Sequence, residues 1–223
     1  NLVFGYSRNT DLVAIRFRTG NLDMSYTDMP TYDWMHSVYG KECKEETASY
    51  IPEPKGKLVR TVSFVDANLY HCKVTGRAAT GVLHFVNQTP VDWYSRKQPT
   101  VVTATYRSEL VAAKIATEQV MDLRFTLRSM GVPIEEHSWL LGDNQSVITN
   151  STIPHSLLSK WHNALAYNSV HLAVTGGYLK FCYLASKQNV ADIMTKYLNR
   201  NELWAQIKYL MFWRGETNNE EAG

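Results

Sequence analysis

Arg60-Thr61-Val62-Ser63-Phe64-Val65-Asp66-Ala67-Asn68-Leu69-Tyr70 is rich in β-branched and aromatic residues and carries an acid at its centre. That composition predicts a strand ending around Asp66. Two further runs, residues 80–86 and 91–95, flank Asn87-Gln88-Thr89-Pro90 and read as a hairpin, so three consecutive strands form an antiparallel meander. Over residues 103–130, Leu110, Ala113, Thr117, Val120, Leu123, Leu127 and Met130 recur at steps of three and four, one face of a helix that Gly131 and Pro133 stop. A short strand, Ser138-Trp139-Leu140-Leu141-Gly142, leads into Asp143 and a brief helix over 144–150. A second long helical pattern over 157–175 ends at Gly176-Gly177; a strand over 178–184 and a helix over 189–198 follow. Hairpins followed by helical crossovers predict an α/β mixed sheet, antiparallel first and then parallel, flanked by helices. Residues 2–17 have strand character and 22–44 show no sustained period, so the first 57 residues read as an irregular N-terminal extension on the main domain.

The chain has 223 residues, 44% hydrophobic and 20% charged, which excludes disordered and fibrous classes. No stretch has the roughly 18 uninterrupted apolar residues of a membrane span. The opening NLVFGYSRNTD has no signal-peptide character and no initiator Met, so the chain reads as a piece of a longer polypeptide. Cys43, Cys72 and Cys182 are widely spaced and odd in number, which argues against a disulfide framework or zinc cluster and for a reducing, intracellular setting. The formal net charge of +2 hides an asymmetry. Residues 1–54 carry 5 basic and 8 acidic side chains, residues 55–214 carry 18 and 10, and residues 215–223 carry 0 and 3. The basic middle suits a polyanion such as nucleic acid, and also plain solubility; the acidic tail 215–223 reads as disordered.

Four acids stand at element ends: Asp66, Glu109, Asp143 and Asp192. Singly, each has an ordinary account as a turn or helix cap, or as a complement to a helix dipole. Together they read differently. If the strands ending at Asp66 and Asp143 lie side by side and parallel, both carboxylates leave the sheet at the edge where open α/β sheets bind ligands. Two carboxylates about 4 Å apart repel by ~1 kcal/mol in water and ~4 kcal/mol at an effective dielectric of 20, so four together oppose folding unless cations neutralise them. An all-oxygen set without His or Cys favours magnesium or manganese over zinc. Two such ions form a known clamp for displacement at phosphorus.

The order Asp, Glu, Asp, Asp on strand, helix, strand end and last helix resembles the ribonuclease H fold and its catalytic quartet. Phe64-Val65-Asp66-Ala67, Trp93-Tyr94-Ser95-Arg96-Lys97-Gln98, Ser108-Glu109-Leu110-Val111-Ala112, Gly142-Asp143-Asn144-Gln145-Ser146-Val147 and Val190-Ala191-Asp192-Ile193-Met194-Thr195-Lys196 resemble the ribonuclease H domain at the C-terminal end of copia-type retrotransposon polyproteins, a similarity that runs from about residue 52 to 198. Leu22-Asp23-Met24 through Asp33-Trp34, Tyr39-Gly40-Lys41 and Glu53-Pro54-Lys55-Gly56-Lys57 more loosely resemble the segment joining the polymerase to that domain. The resemblance implies a connection or tether segment over 1–57, a ribonuclease H-like domain over 58–214 with a five-stranded sheet, and the acidic tail over 215–223. It also implies hydrolysis of the RNA strand of an RNA–DNA hybrid during reverse transcription. Asp66, Glu109, Asp143 and Asp192 would be both catalytic and metal-binding, holding two Mg2+ ions, with Mn2+ as a substitute. Asn144 and Gln145 would approach the hybrid's minor groove and report its shape more than its sequence; as residues that open a helix, they equally suit a cap. The partners implied are the hybrid and the polymerase portion of the same polyprotein, with no membrane, in the cytoplasm within a virus-like particle.

The sequence departs from the pattern after Asp66, where Ala67-Asn68-Leu69-Tyr70 stands in place of a second acid and a small residue and makes the mouth of the site bulkier. Residues 176–192 contain no His, so the His that cellular ribonucleases H carry before the last Asp is absent. His162 matches a His common in the copia-type helix and reads as a packing or surface residue. A polymerase's paired-aspartate motif is absent. Two alternatives stand beside the nuclease: a decayed or domesticated module that keeps the fold as a nucleic-acid-binding or structural piece, and a transposase or integrase nuclease, which would place its Glu last rather than second.

Overall fold

Strand β2 (Thr61–Asn68) is buried along nearly its whole length, and its neighbours explain why. It pairs antiparallel with β3 (Ala79–Val86) on one side and parallel with β5 (Ser138–Gly142) on the other. β4 (Thr89–Lys97) extends the antiparallel side and β6 (Leu179–Tyr183) the parallel side, giving the order β4-β3-β2-β5-β6. The computed structural model describes residues 13–15, 17–25, 48–156, 163–207 and 210–213. The first part of the 157–175 helical pattern, His162, the motifs within 26–47 and the tail 215–223 lie outside these residues.

The β3–β4 connection is tighter than the sequence reading expected. Asn87 adopts a left-handed φ of 56°, which this short polar side chain tolerates, and the turn closes in Asn87-Gln88 alone. Pro90 therefore lies inside β4, opposite Phe85. It is accommodated because β4 is the sheet's edge, where a missing N–H breaks no second ladder.

Helix α1 (Thr105–Ser129) buries Glu109, Leu110, Ala113, Ala116, Thr117, Val120 and Arg124 along one stripe against β2 and β3. It stops where Gly131 turns left-handed at φ 72°. Helix α2 (Gln145–Thr152) and helix α3 (Ala164–Thr175) lie on the same face. Val65, Val82, Leu110, Leu140 and Val170 form the core between that face and the helices. On the opposite face Val62, Phe64, Leu83, Phe85 and Leu141 form a second core with Met24 and Leu184. The alternation along β2 and β5 sends successive side chains to opposite cores.

The second face is covered in part by residues 17–25. The Arg18 N–H donates to Thr89 Oγ1 (2.9 Å), the Thr89 hydroxyl donates to the Arg18 carbonyl (3.0 Å), and the Gln88 amide donates to the Asn21 carbonyl (2.8 Å). Strand β1 (Val13–Ile15) pairs antiparallel with β7 (Met211–Trp213) in a separate two-stranded sheet. The helix expected over 189–198 is shorter, α4 (Asp192–Thr195), preceded by a 3-10 turn at Ser186–Gln188. Asn189 separates the two: its side chain donates to the Val65 carbonyl (2.9 Å) and accepts from the Ala191 N–H (3.1 Å), which diverts the backbone from a continuous helix. Helix α5 (Arg200–Ile207) was not anticipated. Asn199 accepts from the Asn201 and Glu202 N–H groups while Glu202 accepts from the Asn199 N–H, a reciprocal cap that starts it.

Candidate active site

Phe64 of β2 pairs in register with Leu141 of β5, and the two strands run parallel. Asp66 and Asp143 each stand two residues beyond that rung, so both leave the sheet at the same end and level. Glu109, in the second turn of α1, is brought over this end by the packing of α1 on β2. Asp66, Glu109 and Asp143 each offer a carboxylate oxygen within 4.8 Å of the others. Asp66 is 1% and Glu109 9% exposed.

Burial is the main cause that raises Asp66 above the ordinary carboxyl range; the Thr195 hydroxyl and the Lys196 ammonium offset part of this, and the Asp143 charge adds to it. Glu109 is pushed up to about 9, chiefly by burial and then by the Asp66 and Asp143 charges, although the Ala67 N–H donates to it. These groups oppose one another's ionisation in a desolvated cleft. A hard divalent cation fits such a donor set: all oxygen, convergent, anionic, and costly to hold unneutralised.

Asp192 stands beside this trio, outside the three-oxygen set. Its pKa is raised first by burial, and the Asp66 and Asp143 charges add to that, while Lys196 opposes it. Lys196 Nζ lies 2.7 Å from Asp192 Oδ1 and 3.4 Å from Asp66 Oδ1. Three residues without an assigned role in the sequence reading hold this corner. The Thr195 hydroxyl donates to Asp66 Oδ2. Asn189 ties the approach to α4 onto Val65, the neighbour of Asp66. Gly81, opposite Asp66 in β3, has no side chain to keep α4 off the sheet. The signal for Thr195 and Lys196 was their spacing, three and four residues after Asp192, which puts them on its helical face.

Asn144 and Gln145 follow Asp143 directly. Asn144 caps α2, its Oδ1 accepting from the Val147 N–H at 3.2 Å. Gln145 is exposed, with its amide 3.5 Å from Thr149 Oγ1.

The strand order, the change from antiparallel to parallel pairing at β2, and the helices beside the sheet define a ribonuclease H-like fold. The chain is similar to part of the retrovirus-related Pol polyproteins of plant transposons. It is 24% identical over 139 residues to the retrovirus-related Pol polyprotein from transposon TNT 1-94 of Nicotiana tabacum, covering 62% of this chain and 10% of that protein. It is 22% identical over 148 residues to the one from transposon RE1 of Arabidopsis thaliana, covering 66% of this chain and 10% of that protein. The chain thus spans about a tenth of the length of these relatives. No family model matches it. Among solved structures it is similar to the N-terminal RNase H domain of Rv2228c from Mycobacterium tuberculosis, with a TM-score of 0.47 and 14% identity over 67% of this chain and 97% of that one. Among the described residues no helix is long and apolar enough to cross a membrane.

Proposed function

We propose that the chain is the ribonuclease H of a copia-type retrotransposon, a metal-dependent endonuclease that cleaves the RNA strand of RNA–DNA hybrids during reverse transcription. The observation that carries this reading is the convergence of Asp66, Glu109 and Asp143 from three separate elements at one sheet end. With Asp192 they would hold two Mg2+ ions, or Mn2+ in their place. When bound, such ions supply Lewis-acid stabilisation of charge at the attacking and leaving oxygens of an in-line displacement. The chain's own part is to fix the carboxylates. The Thr195 hydroxyl orients Asp66, and Asn189 seats α4. Asn144 and Gln145, beside Asp143, would meet the hybrid's minor groove, Asn144 while its oxygen serves the α2 cap. The polymerase portion of the same polyprotein is the proposed partner, with residues 1–57 as the connection to it, in a cytoplasmic virus-like particle.

Incubating the protein with an end-labelled RNA–DNA hybrid in Mg2+ or Mn2+ tests this. Metal-dependent shortening of the RNA strand is expected. An RNA strand left intact in both metals would favour a decayed or domesticated binding module, and cutting of duplex DNA but not hybrid would favour a transposase-type nuclease.

A further inference from the structure

The Lys196 ammonium lies within reach of two carboxylates that belong to different elements, Asp66 on β2 and Asp192 on α4. Asp66 is almost fully buried and Asp192 nearly so, whereas the Lys196 side chain is about one-third exposed. The lysine thus reaches inward from the rim of the site on a flexible four-carbon stem, and the same stem can carry it back to water. It is tethered one turn from Asp192, so it cannot diffuse away. Its ammonium faces the two carboxylates it touches, so their opposite charge holds it there.

An ammonium and a divalent cation seek the same anionic oxygens, and neither tolerates the other close by. We propose that Lys196 is a tethered counter-cation of the carboxylate site, joining Asp66 to Asp192 before a metal arrives and competing with that metal for their oxygens. The inference rests on the metal-binding reading of these acids. It assigns Lys196 a positioning role with two consequences. Without metal, the lysine holds α4 against β2; with metal, its charge lowers the affinity of the site and swings outward.

The test uses the wild type with Lys196→Met, which keeps the stem and removes the charge, Lys196→Gln, which keeps a donor for Asp192 without the charge, and Lys196→Arg, which keeps the charge. Mn2+ affinity is read by calorimetry and thermal unfolding is followed in chelator and in Mn2+. The Met and Gln variants are expected to bind Mn2+ roughly five- to ten-fold tighter than wild type. They should melt lower in chelator and regain the wild-type melting temperature in Mn2+, while the Arg variant stays near wild type in both. A lysine that merely props the helix would cost the same melting temperature with and without metal. Equal losses in the two conditions, or Mn2+ affinity in the Met and Gln variants no tighter than wild type, would overturn the proposal while leaving the metal site intact. Absence of Mn2+ binding by the wild type would sink the metal reading and this proposal together. Should the Met variant fail to fold in chelator, the Gln variant carries the affinity comparison.

Discussion

Gly81 faces Asp66 across the β2–β3 pair, and a methyl group on it would stand 2.6 Å from Thr195 Cγ2, 2.7 Å from Met194 Cβ and 3.0 Å from the Ala191 carbonyl oxygen. These atoms belong to or flank α4, so even one carbon at Gly81 must push that helix off the sheet. Gly81→Ala is expected to cost about 1–3 kcal/mol in urea unfolding. It should also weaken Mn2+ binding, because Asp192 moves with α4. Unchanged stability and metal affinity would show that α4 tolerates the displacement.

Asp143→Asn replaces one of the three converging carboxyl groups and leaves the fold's packing in place. Hybrid cleavage is expected to fall by about 10²–10³-fold or more. The melting temperature in chelator should hold or rise, because repulsion on Glu109 is relieved. Retained cleavage would remove Asp143 from the site.

The raised pKa values of Glu109, Asp66 and Asp192 give the metal-free protein a pH dependence of definite sign. The folded state binds these protons more tightly than the unfolded chain, so their contribution is complete below about pH 4, the unfolded carboxyl range, and is lost as the pH rises toward about 9 for Glu109. His84, His137 and His171, lowered by burial, act oppositely but finish titrating near pH 7. Cys72, held down to about 7 by Thr75, also acts oppositely in the upper range. The informative quantity is therefore the difference between wild type and Glu109→Gln in chelator from pH 7 to 9. Wild type is expected to lose stability relative to the variant across that range, and divalent metal to restore it increasingly as the pH rises. Parallel profiles would contradict the raised Glu109.

Residues 55–214, with 18 basic against 10 acidic side chains, should bind the hybrid through its phosphates. For about three such contacts, affinity should fall more than tenfold between roughly 50 and 200 mM salt. Fluorescence anisotropy with a catalytically silent Asp143→Asn protein measures this directly, and a flat response would discredit a basic contact face.

The elements that place the acids were legible because each announces itself over several residues. The β-branched and aromatic residues among 61–65 mark a strand, the three-and-four spacing from Leu110 to Met130 marks a long helix, and Ser138-Trp139-Leu140-Leu141-Gly142 marks a short strand. What escaped was carried by single side chains. Pro90 looked like loop until the two-residue turn at Asn87 put it in an edge strand. Asn189 shortened α4 through a bond to Val65, 124 residues away, which local periodicity cannot reveal. The reciprocal Asn199–Glu202 cap of α5 is present in the sequence, but no strong apolar stripe follows it to mark a helix. Thr195 and Lys196 share a motif with Asp192, but their roles depend on where Asp66 arrives on β2.

The pairing of Val13–Ile15 with Met211–Trp213 joins stretches nearly 200 residues apart, so the upstream segment is more than a leash. A recombinant fragment begun after residue 57 would leave the backbone amides and carbonyls of 211–213 bare along one side, the kind of open template on which neighbouring molecules stick together. Anyone trimming the protein to its ribonuclease H-like fold would do well to keep both ends or remove both.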